Sequence, residues 1–214
     1  MKKFLLIALI VALAVPAFAI DKNGLLGLGA KAFYWVPMGD FGNAYDGSFG
    51  GGAKVSYGLA DQMEAFGEFW YGAASFNEDF WGDNAPEDVD TTYYLTTFQI
   101  GARFNFSPYS EFDPYIQAAG GYYTWQYYTV TDDGGQWGDA SDDKFGINLR
   151  AGAEYFFQPN MSLDIGVDYN SIFNVTVPVK DWIDDSDHSQ GWNWLYEEQT
   201  VSAITAGLGV NIYF

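Results

Sequence analysis

The stretch Phe145-Gly146-Ile147-Asn148-Leu149-Arg150-Ala151-Gly152-Ala153-Glu154-Tyr155-Phe156-Phe157 decides the fold. Read with a period of two, Phe145, Ile147, Leu149, Ala151, Ala153, Tyr155 and Phe157 share one face. Gly146, Asn148, Arg150, Gly152, Glu154 and Phe156 share the other. Such alternation marks a β-strand, because successive side chains point to opposite sides of the pleat. The run far exceeds the roughly five or six residues of an ordinary soluble strand and reaches the ~10 residues that a tilted strand needs to cross a bilayer. Its second face is small or polar, which suits a narrow interior filled by side chains rather than water.

The same pattern recurs along the chain. In 92–106, Thr92, Tyr94, Thr96, Phe98, Ile100, Ala102, Phe104 and Phe106 oppose a face that carries Gln99, Gly101, Arg103 and Asn105. In 161–177, Met161, Leu163, Ile165, Val167, Tyr169, Ser171, Phe173, Val175 and Val177 oppose Ser162, Asp164, Gly166, Asp168 and Asn170. At the end, Ile204, Ala206, Leu208, Val210, Ile212 and Phe214 oppose Thr205, Gly207, Gly209, Asn211 and Tyr213. Weaker segments at about 25–36, 49–58, 63–76 and 115–130 bring the expected total to eight strands.

The expected links alternate in length. Those at 58–62, 107–114 and 158–160 are short, and those at 37–48, 77–90, 131–143 and 178–199 are long. Short turns on one side and long loops on the other are the pattern of an outer-membrane barrel. Tyr94 and Phe104 lie on one outward face; at ~3.3 Å per residue and ~40° tilt their spacing covers about 25 Å, the height of the usual apolar band. The expected fold is therefore all-β, an eight-stranded antiparallel up-and-down transmembrane β-barrel.

Composition narrows the function. The chain has 214 residues, with 9 Lys+Arg against 28 Asp+Glu, a formal charge of −19. Non-specific nucleic-acid binding needs a basic surface, so no nucleic-acid partner is expected. There is no Cys, which excludes a disulfide scaffold, a Cys zinc site, a Cys nucleophile and a lipid anchor on Cys. Met1-Lys2-Lys3, the apolar run Phe4 to Val15, Pro16 and Ala17-Phe18-Ala19 read as a secretory signal peptide over 1–19. The barrel would then occupy 20–214.

The chain resembles the small outer-membrane β-barrels of Gram-negative bacteria, the OmpA/OmpX/OmpW-type and opacity-like barrels. The C-terminal run Ala206 to Phe214 and the strand entry Asp113-Pro114-Tyr115-Ile116 carry the resemblance. It implies residence in the bacterial outer membrane, in contact with its lipid and lipopolysaccharide. It also implies that Leu208, Val210, Ile212 and Phe214 are the signal read by the barrel-assembly machinery.

The inward positions hold Lys31, Lys54, Glu64, Glu68, Arg103, Arg150, Glu154, Asp164 and Asp168. Buried charges of both signs must pair, so a charge network closing the lumen is expected. Near the top, Phe33, Trp35, Phe66, Trp70 and Leu95 face inward, either as a plug or as an apolar pocket. The long loops hold 19 of the 28 acids, together with Trp81, Trp137, Trp182, Trp192 and Trp194. Divalent cations could relieve that acidity, and exposed Trp beside carboxylates can stack on glycans. No catalytic residue, metal site or cofactor is expected. Ser186-Asp187-His188-Ser189 places three reactive groups in sequence, but adjacency is not triad geometry. The reading is a non-enzymatic envelope barrel that acts through its loops. Its alternatives are a narrow porin or conduit for ions or small hydrophobic molecules, and a lipid A-modifying enzyme.

Overall fold

The computed structural model describes residues 21–75, 89–131, 136–179 and 195–214. Eight strands close into one barrel in chain order. They are β1 (Leu26–Met38), β2 (Ser48–Ala60), β3 (Met63–Ser75), β4 (Val89–Asn105), β5 (Phe112–Thr131), β6 (Gln136–Gln158), β7 (Met161–Val179) and β8 (Leu195–Tyr213). Every neighbouring pair is antiparallel, and β8 pairs back onto β1. Closure gives every strand a neighbour on each side, so none of the eight is an edge strand, the condition a sheet must meet in hydrocarbon.

Alternation sorts the side chains. Leu28, Val55, Phe69, Phe98, Ile100, Leu149, Ile165 and Leu208 are exposed and form the apolar outer belt, while Glu68, Gln99, Arg103, Arg150 and Asp168 are buried inside. The terminal strand is held at its last residue. Leu26 N–H donates to Phe214 O (3.2 Å), and Phe214 N–H donates to Leu26 O (2.9 Å).

Three details differ from the sequence expectation. In β7 the pairing with β8 shifts between Ile172 and Val175, and Asn174 takes φ 56°. This bulge flips the upper strand. Ile172 and Val175 point inward, and Ser171 is buried, whereas strict alternation puts Ser171 and Val175 outside. The expected loop 131–143 is largely strand, since β6 starts at Gln136 and pairs upward with β5. Within the expected loop 37–48, a short helix α1 (Asp40–Ala44) follows Gly39, and Phe41 and Tyr45 are buried at the top of the lumen.

Candidate functional site

The lumen is organised in tiers. At the end of the barrel that carries the short turns, the segment before β1 turns back into the barrel. Gly24 adopts φ 76° and its N–H donates to Gly58 O, while Leu25 N–H donates to Lys22 O. The turn sends the Lys22 side chain inward, where it is 1% exposed. Its Nζ lies 3.1 Å from Glu64 Oε1, 3.1 Å from Asp113 Oδ2 and 2.5 Å from Glu154 Oε2. The rings of Phe156 and Tyr213 flank it at 5.2 and 5.6 Å. Three carboxylates thus share one ammonium. Further donors relieve them: Tyr213 Oη to Glu154 (2.8 Å), Asn105 Nδ2 to Glu64 (3.0 Å) and Ser107 N–H to Asp113 (3.0 Å).

The middle tier belongs to two arginines. Arg103 Nη1 lies 2.9 Å from Glu154 Oε1, close enough to pair electrostatically although the N–H is not aimed at the oxygen. Its Nη2 donates to Asp164 Oδ2 at 3.2 Å, and its guanidinium stacks 3.7 Å above the Tyr115 ring. Arg150 pairs with Asp164 and, at 2.7 Å, with Asp168. Its Nε donates to Tyr115 Oη, whose hydroxyl donates to Asp164. Lys22, Glu154, Arg103, Asp164, Arg150 and Asp168 therefore form one continuous chain of opposite charges.

Beside this chain, Lys31 pairs with Glu68, which also accepts from Gln99 Nε2 at 3.2 Å. Lys54 sits directly across from Glu68 in the β2–β3 register, but Lys31 holds that carboxylate. Above lies an amide layer. Asn148 Nδ2 donates to Asn170 Oδ1 (2.9 Å), and Asn170 Nδ2 donates to Thr205 Oγ1 (3.1 Å).

The top tier is aromatic. Phe33 meets Trp70 edge-on at 5.2 Å, and Trp70 meets Tyr123 at 5.9 Å. Trp35 packs against Phe41 at 5.8 Å, which places the α1 side chain as a lid on the cluster. Leu95 joins this cluster, and Phe66 is buried lower on β3. Trp35, Trp70, Leu95 and Trp125 border a cavity of only ≈ 10 Å³, about the room one water needs.

The structure brings together Glu64, Arg103, Glu154, Asp164, Arg150 and Asp168 in one network, and Lys31 with Glu68 in a second. Lys54 lines the space between them. Sequence reasoning missed Lys22, Asp113 and Tyr115. Alternation through β5 marks Tyr115 as an inward position, but that strand carries the weakest periodicity of the eight. Leu208 and Val210 are exposed on the outer face of β8, and Phe214, just past its end, is exposed too. Trp81, Trp182, Trp192 and Trp194, most of the loop acids and the Ser186–Ser189 segment lie outside the described residues, as does the expected signal peptide, whereas Trp137 falls in β6 opposite Thr129.

A family model described as "Outer membrane protein beta-barrel domain" matches residues 5–214. No curated protein matches the chain. Among solved structures, Neisserial surface protein A is similar over 90% of this chain and 100% of its own, at 18% identity and TM-score 0.57. Ail, the attachment invasion locus protein of Yersinia pestis, is similar over 90% and 99%, at 15% identity and TM-score 0.54. A major outer membrane protein from Thermus thermophilus is similar over 88% and 99%, at 15% identity and TM-score 0.51. At these identities the likeness is one of fold.

Proposed function

The chain belongs to the outer membrane protein β-barrel domain family, and from that premise we propose a non-enzymatic envelope protein whose lumen is shut and whose work is done at the cell surface. Family membership implies the bacterial outer membrane as its location. The observation that carries the closed lumen is the unbroken ion-pair chain from Lys22 to Asp168, with the aromatic layer above it. Moving an ion along this path would require separating buried pairs, each costly to break. In this reading residues 1–19 are a signal peptide removed on export, and the assembly machinery reads Leu208, Val210, Ile212 and Phe214.

The partners proposed are lipopolysaccharide, divalent cations and glycans, met by the acidic, Trp-bearing loops. A structure of Ail in complex with the heparin analogue sucrose octasulfate is known. Here the long loops hold 19 of 28 acids, which disfavours a polysulfated ligand. Neutral glycans, or lipopolysaccharide phosphates bridged by Ca²⁺, suit that charge better. The test is a barrel with loops 77–90 and 178–199 trimmed, compared with the full chain on a glycan array and on immobilised lipopolysaccharide, with and without Ca²⁺. Calcium-dependent or glycan binding lost on trimming supports the reading; equal binding by both proteins contradicts it. An altered lipid A profile in cells carrying the full chain, abolished by His188→Ala, would replace the reading with an enzymatic one.

A narrow conduit is the second reading. A small cavity beside Lys54 favours it, since it is a gap within the charged tier. The ≈ 10 Å³ cavity among the upper tryptophans is too small for an organic molecule as it stands.

A further inference from the structure

The barrel wall is split at its top between β6 and β7. Their pairing climbs from Gln158 with Met161 to Gly146 with Ile172 and goes no further among the described residues. Both strands continue beyond it. β6 extends up to Gln136 against β5, and β7 extends to Val179 against β8. Two hairpins therefore rise from one seam and part there.

The bulge in β7 makes the split. Asn174, at φ 56°, lies just past the last pair with β6, and the β7–β8 register shifts across it. A bulge bends its strand and ends regular pairing. Past it, Val175 is buried in the cluster that holds Phe41 and Trp35, which ties β7 to the lumen side. Phe145 packs on Tyr122 and Phe173 at the seam, and all three rings are exposed. Such rings mark the lipid–water interface, so the split stands in water above it.

The two facing edges differ. β7 carries the bulge and Pro178, which has no N–H to offer; both devices blunt a strand edge. β6 is regular from Ala140, opposite Tyr127, to Asp143, opposite Thr124. On its other side this stretch has no strand among the described residues. In an antiparallel ladder every second residue aims its N–H and C=O away from the partner it has. Charge alone guards this edge, through Asp139, Asp142 and Asp143. Those carboxylates repel an acidic strand and admit a basic one.

We propose that the open edge of β6 at Ala140–Asp143 is a strand-addition site at the cell surface, which takes an extended basic segment of another protein in antiparallel register. Main-chain hydrogen bonds supply the affinity, and Asp142 and Asp143 select the charge. A second copy of this chain brings the same acids and a formal charge of −19, so like charges would face each other. The proposal adds a protein partner to the surface role. It rests on the outer-membrane placement alone, so it stands whether or not loops 77–90 and 178–199 bind glycans.

The test uses the refolded mature barrel and a short peptide alternating Lys with Val, followed by fluorescence polarisation and amide hydrogen exchange. Binding is expected, with exchange slowed in residues 140–143. The same peptide N-methylated at alternate residues keeps its charge but loses its donors, and it should not bind. Asp142→Lys combined with Asp143→Lys should lose the Lys–Val peptide and take its Glu–Val counterpart. No binding by wild type overturns the proposal. So do equal binding of the N-methylated peptide, protection that appears only outside β6, and unchanged selectivity in the double variant. If the double variant gives no heat-dependent gel shift, the N-methyl comparison on wild type decides the matter.

Discussion

The Lys22 ammonium lies 2.5 Å from the Glu154 carboxylate, joining a residue that precedes the first strand to the interior of β6. The contact closes the short-turn end of the lumen with the chain's own N-terminal segment. Glu64 and Asp113 share the same ammonium. Removing it leaves three carboxylates facing one another in a buried site.

Lys22→Met should therefore destabilise the barrel by about 3–5 kcal/mol, the usual penalty for orphaning a buried ion pair. Urea unfolding of the refolded protein, followed by the heat-dependent gel shift, measures this. Adding Glu154→Gln should recover part of the loss, because one of the stranded charges is then gone. A Lys22→Met protein as stable as wild type would mean that water or solvent ions already neutralise the cage.

Gly58 is required by the same closure. A Cβ there would lie 1.8 Å from the Lys22 carbonyl oxygen and 2.7 Å from its carbonyl carbon, both rigid backbone atoms. Gly58→Ala should expel the N-terminal segment while leaving the barrel formed. Trypsin reads this out, since Lys22 is buried in wild type. Cleavage after Lys22 should be absent in wild type and rapid in Gly58→Ala, with the gel shift retained. Equal resistance in both proteins would show that the segment can dock without this close approach.

Asn174 holds the bulge in β7 at φ 56°, a conformation that Asn and Gly adopt readily and β-branched residues do not. Asn174→Gly should leave stability within about 0.5 kcal/mol, and Asn174→Val should cost about 1–2 kcal/mol or more. The bulge turns Val175 into the lumen beside Ile172. Loss of it should therefore loosen the aromatic tier, visible as a weaker near-ultraviolet signal. Equal stability of the Gly and Val variants would show that the bulge is not set by this residue.

Much of this architecture is legible because lipid outside and packed side chains inside impose a strict period of two. That rule places Lys31, Glu68, Arg103, Arg150 and Asp168 in the lumen directly. It cannot reach Lys22, which lies before the first apolar position and enters by a turn rather than along a strand. Nor can it find the bulge, since Phe173 and Val175 are both apolar and nothing marks where the alternation slips after Ile172. The upper part of β6, from Gln136, reads as loop because a hairpin beyond the lipid need not alternate. Alternation also cannot say which acid pairs with which base. The preference of Glu68 for Lys31 over Lys54 comes from side-chain reach in three dimensions.

Outside the membrane-crossing strands, Tyr109 in the β4–β5 turn donates a hydrogen bond to the Asp61 carboxylate in the β2–β3 turn. That bond, with the nearby negative charge, pushes the phenol up to about 12. The folded value lies above the ordinary ~10, so the contact contributes fully below about pH 10 and is lost as pH rises through 12. A ¹³C-tyrosine NMR titration of wild type and Asp61→Asn tests this. The Tyr109 resonance should titrate near the ordinary value in the variant, and an unchanged midpoint would contradict the pairing.

The central claim is that the tiers of ion pairs and aromatic rings close the lumen. Single-channel recording of the mature chain, refolded into planar bilayers after the gel shift confirms a formed barrel, tests it most directly. The account predicts electrical silence from wild type, and openings in a Lys22→Met, Arg103→Gln double variant that breaks the chain at two levels. Steady, reproducible conductance from the wild-type barrel would contradict it.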